Sequence, residues 1–119
     1  MKHKISINEE DIVELKYIGE ISEEDNIEMI KRSYTLINEL LDRGKKPLVL
    51  VDLTQTDHFA PPDINVQAMR DSEAFKLAGF GISNPDDYKT AEQIIEKSGS
   101  NAQIRIFQTR DQALAWLKS

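Results

Sequence analysis

The run Pro47-Leu48-Val49-Leu50-Val51-Asp52-Leu53 constrains this chain more than any other stretch. No other segment is apolar without interruption. A strand apolar at consecutive positions offers apolar side chains to both faces of its sheet, so this one reads as a strand buried on both sides. The polar stretch that follows, Thr54-Gln55-Thr56-Asp57-His58-Phe59-Ala60-Pro61-Pro62, reads as a loop that ends where a helix begins. In open α/β sheets that junction is where ligands and partners are met.

The flanking sequence supplies the other layers. His3 to Asn8 and Asp11 to Ile18 alternate apolar and polar residues across a short polar link, which predicts an antiparallel hairpin ended by Gly19. Ser22-Glu23-Glu24-Asp25 is a helix start: a hydroxyl to accept a freed N–H, then acids at the positive end of the dipole. Ile27, Ile30, Tyr34, Ile37 and Leu41 continue at steps of three and four, and Arg43-Gly44 closes the helix. Pro61-Pro62-Asp63 opens a second helix with Ile64, Ala68, Met69 and Phe75 on its face. Leu77 to Ile82 is a short strand whose two glycines predict close approach by a neighbouring backbone. Asn84-Pro85-Asp86-Asp87 starts a third helix, Ala102 to Phe107 is a strand, and Thr109 with Gln112 fits a capping box ahead of a last helix. The order β-β-α-β-α-β-α-β-α is that of an α/β fold: a mixed β-sheet of four to five strands, an N-terminal hairpin and about four helices packed on it.

With 119 residues the chain reads as a single domain spanning 1–119, and such a length buries roughly two-thirds of its unfolded surface without a metal or disulfide. It has no cysteine, which removes thiol nucleophiles and thiolate metal sites. No segment reaches the roughly 20 apolar residues of a membrane span, and no apolar core follows Met1-Lys2-His3-Lys4, so the expected location is cytoplasmic. The formal net charge is -6, with nine acids between Glu9 and Glu28 against Lys16 alone. That surface repels phosphate backbones, so nucleic acid is not an expected partner; the plain reading is a solvated face.

Three groups of residues bear on chemistry. Asp52, Asp57 and His58 stand at or past the end of the apolar strand, and two carboxylates with an imidazole suit a divalent metal or acid–base work. The alternative is that Asp52 caps nearby backbone N–H groups and Asp57-His58 is a solvated turn, and the expectation is no metal, no cofactor and no catalytic residue. Thr54 and Thr56 are loop formers that would serve as phosphoacceptors. Phe59, Met69, Phe75, Phe80 and Trp116 are candidates to line an apolar pocket, or to fill the core. His3, near the N-terminus on an edge strand, reads as incidental. Catalytic-triad spacing, HExxH, a P-loop and GxGxxG are all missing; Gly79-Phe80-Gly81 lacks the third glycine.

Two segments carry a resemblance: Leu48-Val49-Leu50-Val51-Asp52-Leu53-Thr54, and the closing strand-turn-helix from Ile104 to Leu117. With the opening hairpin and long first helix, the chain resembles the STAS/SEC14-like group, and within it the small SpoIIAA-like proteins. The resemblance implies a mixed sheet with helices mostly on one side. In anti-sigma-factor antagonists of this fold a serine in an Asp-Ser-x-Gly turn is phosphorylated; here Ala60-Pro61-Pro62-Asp63 lies at that place, with proline at the acceptor position, so the switch does not carry over. The expectation is therefore a non-catalytic regulatory module that binds another protein or itself as a homodimer, through Thr54, Thr56, Asp57, His58 and Phe59. The lipid-binding side of the superfamily supplies the alternative: a carrier or sensor of a small apolar ligand, held near Met69, Phe75 and Phe80.

Overall fold

The computed structural model describes residues 2–56, 63–100 and 102–119, with backbone alone for 63–66. The strands are β1 (Lys4–Ile7), β2 (Ile12–Gly19), β3 (Leu48–Thr56), β4 (Lys76–Phe80) and β5 (Gln103–Phe107); the helices are α1 (Glu23–Asp42), α2 (Asp63–Asp71), α3 (Pro85–Ser98) and α4 (Arg110–Leu117). The sheet runs β1-β2-β3-β4-β5 in chain order, which puts the apolar run at its centre. β1 and β2 pair antiparallel, with Ile5 opposite Leu15. The remaining pairs are parallel, with Val51 beside Leu15 on one flank and beside Gly79 on the other.

The polar residues at the element ends explain where the elements start. The hairpin turn is organised by Asn8, whose Oδ1 accepts from the N–H groups of Glu10 and Ile12. Ser22 Oγ accepts from the Asp25 N–H and starts α1. Asn84 does the same for Asp86 and Asp87 at the start of α3, ahead of Pro85 in the first turn. Thr109 and Gln112 form the reciprocal capping box of α4. The third helix ends on Gly99, whose φ of 62° is the left-handed cap that glycine adopts without strain.

Strand β4 stops at Phe80, two residues short of the reading from sequence. Gly81 leaves the strand with φ 93°, and a Cβ there would sit 2.9 Å from the backbone nitrogen of Thr54. This is the close approach that the glycines of this segment foretell. Lys76 joins the strand at its other end because its stem is buried and its ammonium is used: Nζ donates to the carbonyls of Trp116 and Ser119, each at 3.0 Å.

Alternation along the strands splits the core in two. On one face Val13, Leu15, Tyr17, Val49 and Leu53 pack with Met29, Ile37 and Leu40 of α1 and Ala91 of α3. On the other, Ile12, Leu50, Ala78 and Phe80 pack with Ala113 and Leu117 of α4. Three helices thus serve one face and a single short helix the other. No described helix is long and apolar enough to cross a membrane.

Candidate functional site

The two faces are covered differently. Helix α4 lies directly on β3, β4 and β5. Opposite it, α1 rests on β1 and β2, α3 rests on β5, and α2 leans on α3. Among the described residues, the helices on this side rest mainly on the outer strands or on one another, so the floor formed by β3 and β4 is roofed at a distance.

Hydrogen bonds to the chain backbone hold that roof. Tyr34 Oη of α1 donates to the Ala68 carbonyl of α2 at 2.9 Å. Arg70 Nε donates from α2 to the Ser98 carbonyl of α3 at 3.0 Å. Tyr88 Oη donates from α3 to the Ile106 carbonyl of β5 at 3.1 Å. Each bond ties a helix to its neighbour or to the sheet's edge, and together they leave the centre open.

The space beneath is a cavity of about 670 Å³. That is within the roughly 300–1,000 Å³ typical of small-molecule sites. Its floor is Leu15, Val49, Val51, Leu53, Leu77 and Ile106. Gly79 belongs to the floor as well, and the side chain it lacks would meet Ile106 Cγ2 at 3.4 Å, so the glycine keeps the floor low. Ile30, Tyr34 and Ile37 form the α1 wall, Met69 the α2 wall, and Ile94 and Ile95 the α3 wall. At the β2–α1 junction the lining includes Glu20, Ser22 and Glu23, all solvent-exposed, which marks the opening. Tyr17 lies in the wall near this end, 7% exposed, and burial pushes its pKa up to about 12.

The residues singled out from sequence fall in several places. Met69 lines the cavity. Phe75 follows α2, is 38% exposed and sits under Lys46 Nζ at 4.6 Å from the ring centre. Phe80 is buried, but on the α4 face, because strand alternation turns it away from the cavity. Trp116 shares that side and tilts against Phe107 with ring centres 5.7 Å apart. Asp57, His58 and Phe59 lie outside the described residues, as do Ala60, Pro61 and Pro62.

At the end of β3, Asp52 Oδ1 accepts from the Thr54 N–H at 2.9 Å and from the Thr54 hydroxyl at 2.6 Å. The carboxylate is thus a turn former where β3 carries an extra residue against β2. Thr56 donates to the Leu53 carbonyl at 2.8 Å. Among the described residues no cluster of three or more His, Asp or Glu side chains stands ready for a metal.

His3 is not the bystander that its place in the sequence suggests. It is buried, its Nδ1 accepts from the Ile18 N–H at 3.0 Å, and its Nε2 lies 3.6 Å from Asp25 Oδ2. Burial lowers its pKa below the ordinary value, against a smaller upward pull from Asp25. The cavity wall residues Leu15, Tyr17, Val49 and Ile37 read from sequence only as core. Apolar periodicity is the same for a filled core and for the wall of a void, so no sequence signal separates the two.

Comparison with known proteins gives a fold and a family. The family model described as SpoIIAA-like matches residues 12–118. No curated protein matches. A crystal structure from Shewanella loihica PV-4, an uncharacterised protein of the DUF3478 family with a SpoIIAA-like fold, superposes with a TM-score of 0.62 at 19% identity, over 97% of this chain and 91% of that one. At that identity the likeness is one of fold.

Proposed function

This chain belongs to the SpoIIAA-like family, and we propose that it works as a non-catalytic module that holds a small apolar ligand between its sheet and helices α1, α2 and α3. The observation that carries this reading is the cavity of about 670 Å³ with an apolar floor and a polar opening. Water filling a cavity of that size would lie against apolar walls, whereas an apolar occupant removes that apolar surface from water and adds dispersion contacts with it. The aqueous end at Glu20, Ser22 and Glu23 offers a way in and a polar group for the ligand's head to meet.

The loop after β3 is the competing surface, as a site for a protein partner or a second copy of the chain. Its described part has both hydroxyls engaged within the chain, Thr54 with the Asp52 carboxylate and Thr56 with the Leu53 carbonyl. This favours the cavity as the site and leaves the threonines as formers of the turn.

Nile red, whose emission rises in apolar surroundings, reads the cavity directly. The delipidated chain should bind it saturably at about one dye per chain. Native mass spectrometry of freshly purified protein should show an adduct that organic extraction removes. A dye signal no greater than that of a well-packed control protein, together with an adduct-free spectrum, sinks the proposal.

A further inference from the structure

We propose that the occupant is a long-chain amine: an apolar tail on the floor of β3 and β4, and a protonated amino head held at the opening by Glu20 and Glu23. This rests on the apolar-ligand reading of the same cavity and adds the chemistry of the head group. Glu20 and Glu23 are exposed residues of the lining, and neither carboxylate has an ion-pair partner among the described residues. None of the described lining residues is Lys, Arg or His. A fatty acid or phosphate head is normally met by Arg or Lys, and a charge carried into an apolar site without a partner is strongly disfavoured.

The helix end at the opening does not reverse this preference. The amino end of α1 would attract an anion through its dipole. Its first turn is already filled by Glu23, Glu24 and Asp25, and Ser22 Oγ takes the Asp25 N–H. The local field at the opening is therefore negative.

Tyr17 supplies an independent sign of a polar head. It is 7% exposed and lines the cavity, yet its hydroxyl makes no hydrogen bond among the described residues. Most of the ring is buried and the residue lines the cavity, so its hydroxyl is left to be satisfied by what enters. A tyrosine hydroxyl is neutral at neutral pH, so it accepts an N–H from an ammonium or exchanges a hydrogen bond with an alcohol.

Three probes with one tail test the head group: dodecylamine, dodecanol and dodecanoate, each below its micelle concentration, competing with Nile red on the full chain at neutral pH. Dodecylamine should displace the dye at a concentration roughly tenfold below that of dodecanoate, with dodecanol between them. The double variant Glu20→Gln with Glu23→Gln should lose the amine's advantage over the alcohol and keep the alcohol's affinity. Tyr17→Phe should weaken amine and alcohol by roughly fivefold with an unchanged melting curve. Dodecanoate equal to or better than dodecylamine overturns the head-group assignment and leaves the cavity reading standing. An amine advantage that survives the double variant overturns the role of Glu20 and Glu23. If Nile red itself fails to bind, both readings fall together.

Discussion

The two faces of β3 and β4 carry the same kind of residue and end in opposite states. Toward α4, Leu50, Ala78 and Phe80 meet Ala113 and Leu117, and both alanines are 0% exposed. Small residues on both partners let the helix settle close onto the sheet. Toward α1, α2 and α3, Val49 and Leu53 are buried in the cluster with Met29, Ile37 and Leu40, while the half-buried Val51 and Leu77 border the cavity, since those helices come to rest on the outer strands or on one another. Apolar alternation chooses which residues leave water, while the landing place of a helix chooses whether they pack. One face is closed by a single short helix, and the other encloses the cavity.

Neighbours in the chain test that contrast most directly. Leu50→Ala, on the packed face, should cost about 2–5 kcal/mol in urea unfolding, because the cavity it opens lies in a close-packed region. Val51→Ala, one residue on and facing the void, should cost about 1 kcal/mol, since its methyls have fewer contacts to lose. Equal costs per carbon removed would show that both faces are packed alike.

Lys76→Met probes the packed face from its edge. It removes three hydrogen bonds from Nζ, to Trp116 O, Ser119 O and Ser119 Oγ. The expected loss is about 2 kcal/mol by thermal or urea unfolding, with Nile red binding unchanged. A loss of dye affinity without a loss of stability would mean that the faces are coupled.

Ser33→Leu fills the hollow face from α1, where Ser33 lines the cavity and its hydroxyl bonds back to the Ile30 carbonyl. Stability should move by less than about 1 kcal/mol, and dye binding should drop at least tenfold. Undiminished dye binding would place the dye elsewhere on the molecule.

The smallest effect is one of pH. Burial lowers the pKa of His3 from 6.5. As pH falls below that value the unfolded chain takes up the proton before the folded one does. The contribution is therefore complete above about 6.5 and is lost as pH drops from there toward the folded-state value. His3→Asn, which can still accept from the Ile18 N–H, should flatten the decline of melting temperature over that interval. Identical slopes in the two proteins would remove His3 as its source.

Much of this molecule is legible in its sequence, and the legible parts share a cause. Ser22, Asn84 and Thr109 cap the helices that their positions announce, because a cap is settled within four residues of chain. The consecutive apolar residues Leu48, Val49, Leu50 and Val51, with Leu53 after them, place β3 at the centre, because only an inner strand buries both faces. The sequence allows a pocket as the alternative reading but gives it the wrong walls. Size alone suggests Phe75 and Phe80, whereas Met69 alone of the described candidates reaches the lining. Strand alternation puts Phe80 with Ala78 on the α4 face and Leu77 with Gly79 on the cavity floor, and which of those faces carries the cavity is set by where the helices land. His3 escapes a sequence reading for a similar reason: its burial depends on β2 and α1 closing over it, at Ile18 and Asp25.

Local chain chemistry is enough to settle the order of elements, their ends, the central strand and the family resemblance, because each depends on neighbours in sequence. The void is decided by tertiary structure alone. It exists because α1 rests on β1 and β2, α3 on β5 and α2 on α3, and hydrogen bonds from Tyr34, Arg70 and Tyr88 hold them there. These are contacts between residues 18 to 34 positions apart, and no local pattern of apolar residues encodes the gap that they leave.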